Sequence, residues 1–233
     1  MAKQLDWLPT CKRFVAFLDI MGFKDRMLRY PHEKVLETLT SFRMAVRPLG
    51  IAENLAASAV RPVFFSDSIL LVSGDDSLES ALRITLSAEW FVQEALDIQI
   101  PIKGAIAFGM QTANFEDSLH FGAPLIDAYE LQNQVKLYGV VLHHTTEKRL
   151  ADLRVLDPDK YRSISPNVVE YPVPLKEGKV NHYILRFFTH SVASGSLESS
   201  LLKLYGTVSG SPRSYVDNTL DLARWLDKKG RKT

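Results

Sequence analysis

Residues 14–20, FVAFLDI, form a continuous apolar run that ends on an acid, the pattern of a strand buried on both faces with Asp19 at its C-terminal edge. Gly22 breaks the run. From Pro31 the period changes, and Val35, Leu36, Leu39, Phe42 and Val46 recur at three- and four-residue steps, which predicts an amphipathic helix. Two further apolar segments flank Ser66-Asp67-Ser68 and predict an antiparallel hairpin with Asp67 at or beside its tip. Asp76-Ser77-Leu78-Glu79 reads as a capping box opening a helix to about Leu96, with Ala81, Ile84, Ala88, Phe91 and Ala95 on its apolar face. A strand follows over 99–109 and a turn over 114–118. A helix starts near Pro124, with Leu125, Ala128, Gln132 and Val135 along one side. A short strand is expected over 139–143, a helix over 145–153, and a hairpin over 171–188 with a Lys-Glu-Gly-Lys turn.

The order is β-α-β-β-α-β-α-β with additions. Its first part, βαββαβ, is the ferredoxin-like or palm arrangement, so the expected class is α+β. From Ser191 the composition shifts to Ser and Gly, and two short helical patches follow at about 197–205 and 212–228. The chain therefore divides into a main unit, 1–190, and a C-terminal helical extension of the same domain, 191–233.

Composition narrows the function classes. The 233 residues are 46% hydrophobic and 24% charged, an ordinary globular balance. The net charge of +1 gives no bulk attraction to nucleic acid or to an anionic membrane, and the basic run Lys228-Lys229-Gly230-Arg231-Lys232 reads as a solvated terminus. A single cysteine, Cys11, leaves no internal disulfide and no cysteine metal site, in keeping with a reducing cytoplasm. The N-terminal residues lack the apolar core of a signal peptide, and no apolar run approaches the ~20 residues of a membrane helix. His143 and His144 are adjacent and should point to opposite faces of an extended chain, and the other histidines show no ligand spacing.

Two acids carry the candidate chemistry. Asp19 ends the first strand, and Asp67 sits on the hairpin that lies beside it in a ferredoxin-like sheet. Two carboxylates so placed repel each other unless a cation lies between them. Mg²⁺ suits such a site, because it takes one or two carboxylates and completes its shell with substrate phosphates. Taken singly, Asp19 could cap the next helix and Asp67 could be a turn residue.

With these residues in hand the sequence resembles a known family. Phe17-Leu18-Asp19-Ile20-Met21-Gly22-Phe23 is similar to the F-x-D-I-x-G-F signature of class III adenylate and guanylate cyclases. Phe65-Ser66-Asp67-Ser68 stands where that family has its Gly-Asp hairpin. Residues 102–109, IKGAIAFG, resemble its R-x-G-I-x-x-G strand, and Phe121-Gly122-Ala123-Pro124-Leu125 the segment opening the next helix. The likeness spans about 13–187. It implies that 1–190 is a cyclase catalytic domain working as a homodimer with sites between the subunits. It also implies that Asp19, Asp67 and the Ile20 carbonyl hold two divalent ions, Mg²⁺ or Mn²⁺, and that the amides near Gly22, Phe23 and Lys24 cradle phosphates.

The departures from the family pattern bear on substrate. The base-reading Lys of purine cyclases is replaced by Val63, and the second base-reading residue by Leu119. The Asn and Arg that steady the transition state fall on Ile126 and Glu130. Lys103, Arg61, Lys176 and Lys179 are candidate replacement cations, with Lys176 or Lys179 where the family has a phosphate-binding Lys. This combination resembles the compact pyrimidine cyclases of bacterial Pycsar anti-phage defence, whose cyclic UMP or cyclic CMP activates a separate effector. Val63, Phe65 (or Phe64), Leu119 and Arg61 are then candidates for the base pocket. The expected function is uridylate or cytidylate cyclase. A purine cyclase with atypical base recognition and a silent nucleotide-binding or dimerisation module are the alternatives.

Overall fold

The structure, a computed structural model, describes residues 7–45, 60–186 and 194–230, with side chains except at 41–45, 194–197 and 230. Its centre is β1 (Thr10–Ile20), whose alternate residues are buried on opposite faces of the sheet. A short helix, α1 (Phe23–Arg29), and a longer one, α2 (His32–Ala45), lead toward the hairpin of β2 (Arg61–Phe65) and β3 (Ser68–Val72). Next come α3 (Leu78–Asp97), β4 (Ile102–Asn114), β5 (Leu119–Gly122), α4 (Ala123–Gln134), β6 (Gly139–Leu142) and α5 (His144–Leu156). After the one-turn α6 (Pro158–Tyr161) come β7 (Val168–Leu175) and β8 (Gly178–Leu185), then α7 (Ser194–Tyr205) and α8 (Ser211–Gly230).

The strands form one sheet in the order β2-β3-β1-β4-β6-β8-β7, with β5 pairing onto β4. The antiparallel quartet β2-β3-β1-β4 with its two helical connections is the ferredoxin-like core. β1 and β4 pair along the whole of β1, from Thr10 opposite Thr112 to Ile20 opposite Ile102. They approach closely because Gly104 faces Leu18: a methyl group there would strike the Leu18 side chain and lie 2.7 Å from the Phe17 carbonyl oxygen.

One face of the sheet packs Phe14, Ala16, Leu18 and Ile20 against α3, where Ala81, Ile84, Ala88, Phe91 and Ala95 are all buried as the helical period predicts. Burying a side chain such as Ile84 or Phe91 stabilises the fold by about 1.5–3 kcal/mol. The other face carries Val15, Phe17, Asp19, Lys103, Ala105 and Ala107, and α4 lies across it through Leu125, Ala128 and Leu131.

Several expectations are corrected here. The capping residue of α3 is Ser77, whose hydroxyl accepts from the Ser80 amide, so the cap is one residue later than the box centred on Asp76. Leu36 is solvent-exposed; only Val35 and Leu39 of the predicted α2 face pack inward, while the Phe42 side chain and Val46 lie outside the described residues. α1 and β5 come from segments where neither period is visible: α1 has no buried residue, and β5 is four residues long. The strand expected over 99–109 begins later and runs to Asn114, because Gln99 takes a left-handed conformation (φ 60°) at the end of α3. His143 and His144 do not diverge. The chain turns into α5 between them, and their rings lie 4.1 Å apart.

Candidate active site

The C-terminal end of β1 collects the candidate groups. Asp19 lies opposite Ser68 on one side and Lys103 on the other. Phe65 pairs with Ser68, which leaves Ser66 and Asp67 as a two-residue turn with Ser66 in the left-handed region (φ 55°). The turn is tied to β1, because the Ile20 amide donates to the Asp67 carbonyl oxygen at 2.8 Å. Both acids therefore stand at one corner of the sheet, held by backbone on each side.

Burial pushes the Asp19 carboxyl above the usual carboxylate range. Lys103 pulls it back down and the Asp67 charge adds to the rise. A buried carboxyl with a second carboxylate beside it is a donor set that suits a divalent cation. Among the described residues no three His, Cys, Asp or Glu side chains gather into a metal cage. A cation at this corner would rely on two carboxylates, a backbone carbonyl such as that of Ile20, and oxygens of a bound phosphate, which is the mixed shell Mg²⁺ accepts.

The cations sort by position. The buried Lys103 donates from Nζ to the Gln132 carbonyl oxygen at the end of α4, 3.0 Å away. Burial lowers its pKa, Asp19 raises it, and the charge of Lys176 lowers it further. Lys176 is exposed on the β7–β8 turn, which is tied to the end of α4 by the bond from the Lys176 amide to the Gln134 carbonyl. Lys179 pairs with Pro174 farther along that hairpin and is exposed. Arg61 does not belong to the corner. It begins β2, four residues from the turn, and its guanidinium lies over the rings of Trp7 (4.2 Å) and Phe115 (5.2 Å).

Gly22 caps α1 in the left-handed conformation (φ 75°), with open space where a Cβ would be, so the glycine is required by backbone conformation. The Phe23 and Lys24 amides, in the first turn of α1, have no partner from within the helix. Of the expected base-pocket residues, Val63 packs among Val15, Leu70 and Val72 on the α4 face. Phe65 projects on that same face and is 79% exposed, whereas Phe64 turns to the opposite side and meets Phe91 of α3. Leu119 pairs with Asn114 at the far end of β4, 11 residues from Lys103 and so roughly 35 Å along the strand. Within one chain Leu119 and Arg61 cannot share a pocket with Asp19.

Of the transition-state positions on α4, Ile126 is 58% exposed. Glu130 lines a cleft with Asp127, Gln134, His143, His144 and His182. Sequence reasoning missed this grouping, because the three histidines come from the start of α5 and from β8.

The residue that sequence patterns hid most completely is Tyr215. It lies on α8, more than a hundred residues along the chain from Lys103, yet its ring centroid is 5.8 Å from Lys103 Nζ. Burial and the Asp19 charge both raise its hydroxyl pKa.

The sequence matches no protein-family model and no curated protein. Solved structures do match. The catalytic core of a rhodopsin-guanylyl cyclase with converted specificity, in complex with ATPαS, aligns over 75% of this chain and 94% of its own, with a TM-score of 0.52 at 18% identity. The adenylyl cyclase CyaB from P. aeruginosa aligns over 80% of this chain and 100% of its own, with a TM-score of 0.51 at 13% identity. A bacterial light-regulated adenylyl cyclase aligns over 84% and 98%, with a TM-score of 0.52 at 10% identity. The chain has the fold of the class III nucleotidyl cyclase catalytic domain, an α+β palm.

Proposed function

We propose that the protein is a pyrimidine nucleotide cyclase, converting UTP or CTP to the 3′,5′-cyclic monophosphate and pyrophosphate. The observation that carries this reading is the placement of Asp19 and Asp67 at one corner of a cyclase-fold sheet, clamped by the bond from the Ile20 amide to the Asp67 carbonyl. Two divalent cations held by Asp19, Asp67 and the Ile20 carbonyl would supply activation of the 3′ hydroxyl and neutralisation of the triphosphate.

The chain's own groups do the rest. Lys103 keeps two N–H donors beyond its bond to Gln132 and presents them beside Asp19, where charge on the α-phosphate grows. Lys176, whose charge acts on Lys103, would add a second positive charge. The free amides at the start of α1 offer donors to the phosphate chain. Together Lys103 and Lys176 take over the role left open by Ile126 and Glu130, while Lys179 stands farther off on the same hairpin.

Pyrimidine selectivity follows from what the base-facing positions lack. Val63 and Leu119 have no side-chain hydrogen-bonding group for a purine edge, and a site without those contacts loses purine discrimination. The remote placement of Leu119 supports a homodimeric site, with the base wall supplied by the second subunit. Phe65, Ile126 and Tyr129 are exposed on the α4 face and form an apolar surface suited to self-association. Among the described residues no helix is long and apolar enough to cross a membrane. A diffusible cyclic nucleotide read by a separate effector, as in anti-phage signalling, is the cellular role this reading implies.

The test is incubation of the purified protein with each of ATP, GTP, CTP and UTP plus Mg²⁺ or Mn²⁺, followed by separation of products. Cyclic UMP or cyclic CMP, absent with Asp67→Ala, is the expected result. A cyclic purine would retain the mechanism and overturn the pyrimidine assignment. No product from any nucleotide would favour a silent nucleotide-binding module, the reading that Glu130, standing where the family pattern has its transition-state Arg, supports.

A further inference from the structure

We propose that the C-terminal helix α8 is a working part of the active site, with Tyr215 as a positioning residue that fixes the ammonium of Lys103 beside Asp19. This inference rests on the cyclase reading above and adds a residue that the two-acid constellation does not contain.

The geometry begins with how α8 is held. Val216 and Leu222 are fully buried in the main core, and Leu220 nearly so. Two polar ties fix its register against the segment joining α4 to β6. Asn218 Nδ2 donates to the Lys136 carbonyl at 2.6 Å, and the buried Thr219 hydroxyl accepts from the Tyr138 amide at 2.9 Å. Both bonds end on backbone groups that a strand or helix partner does not satisfy, so the helix replaces partners that water would otherwise have to provide. The Tyr138 and Tyr215 rings then stack, 6.0 Å between centroids and 21° between planes. Tyr215 is thereby fixed on two sides, from its own helix and from Tyr138.

Lys103 occupies the space this creates. Its Cα lies opposite Asp19, its Nζ donates to Gln132, and the Tyr215 ring stands 5.8 Å from the ammonium. A long flexible side chain gains directional value only if its rotamers are restricted. The Gln132 carbonyl takes one donor, and the aromatic face attracts the cation while excluding water from one flank. The two remaining donors are left for an anion at the Asp19–Asp67 corner. Gln132, Lys136, Tyr138 and Gly139 belong to one connected segment, so α8 also braces the carbonyl to which Lys103 is bonded.

The test is a double-mutant cycle on the full chain, with Lys103→Met, Tyr215→Leu and the pair. Two readouts are used: rate of cyclic product, and affinity for Mn²⁺–UTP by titration calorimetry. Tyr215→Leu should lower kcat/KM roughly 5- to 30-fold, the range expected of a partly desolvated cation–π contact. The losses should not multiply: in the Lys103→Met background Tyr215→Leu should cost almost nothing further. Tyr215→Phe, which keeps the ring, should restore most of the wild-type rate. Leu153→Ala, in the core beneath α5 and away from α8, should lower the melting temperature and leave the rate at low temperature intact.

Fully multiplicative losses would overturn the proposal, as would Tyr215→Phe being as damaging as Tyr215→Leu. If the wild type binds Mn²⁺–UTP yet forms no cyclic product, the cyclase reading fails. The coupling between Lys103 and Tyr215 is then decided by the affinities alone. A wild type that binds no triphosphate would overturn both.

Discussion

Asp19 is placed where its charge is useful and unfavourable at once. Its carboxyl is raised by burial and by Asp67 against the pull of Lys103, so the folded chain holds that proton more tightly than the unfolded chain does. The associated stability is complete below the unfolded pKa of about 4 and is lost as the pH rises through the folded value. At neutral pH the ionised Asp19 therefore weakens the metal-free fold. Asp19→Asn should raise the melting temperature at pH 7, and the gain should vanish near about pH 3.5, as thermal melts at the two pH values would show. Mn²⁺ should stabilise the wild type and fail to stabilise Asp19→Asn. In the rate assay, Asp19→Asn and Asp67→Ala should each lower product formation by roughly 100-fold or more. The acid limb of the pH–rate profile should start above the ordinary carboxylate range and move lower as Mn²⁺ is raised, because cation and proton compete for one carboxylate.

At the scale of elements, the β1–β4 pair sets the geometry of the corner. Gly104→Ala would force a methyl group onto Leu18 and the Phe17 backbone, and backbone cannot yield as a side chain can. Urea unfolding should show a loss of about 1–3 kcal/mol, with Asp19 displaced along with β1 and activity reduced more than stability. The elements legible in the sequence were those whose periodicity covers a buried face. β1 and α3 bury the faces their patterns mark, and α4 buries Ala128 and Gln132 with Leu125 half-buried and Val135 just past its end. Asp67 was legible because two apolar strands bracket it. α1 has no buried residue to mark it, and β5 is fixed by pairing to β4 rather than by its own pattern. Lys103 could be named from the sequence, but its bond to Gln132 could not, because that contact depends on where α4 ends. Tyr215 gave no local signal at all, and Arg61 was misplaced because a strand's residue list does not reveal which end meets the site.

At the scale of the whole molecule, one chain holds, on the proposed reading, only part of a site. The acid corner lies at one end of β4 and Leu119 at the other. Phe65, Ile126 and Tyr129 leave apolar surface exposed on the α4 face. The proposed homodimer would bury that face and bring the far end of one β4 toward the acid corner of the other. Tyr129→Arg should convert a dimer to a monomer in light scattering coupled to size exclusion. The same variant should lose activity while its melting curve remains cooperative. A Tyr129→Arg protein that stays monomeric and fully active would rule out a shared site.

The tie between the Ile20 amide and the Asp67 carbonyl has a spectroscopic consequence. It is a single N–H whose partner sits at the tip of a hairpin, so its exchange with solvent deuterium follows separation of that turn from the end of β1. Neighbouring amides of β1 report the sheet as a whole; this one reports whether the two acids are held together. Its resonance offers a label-free gauge of how often the corner opens at rest, and of how far nucleotide and cation slow that opening.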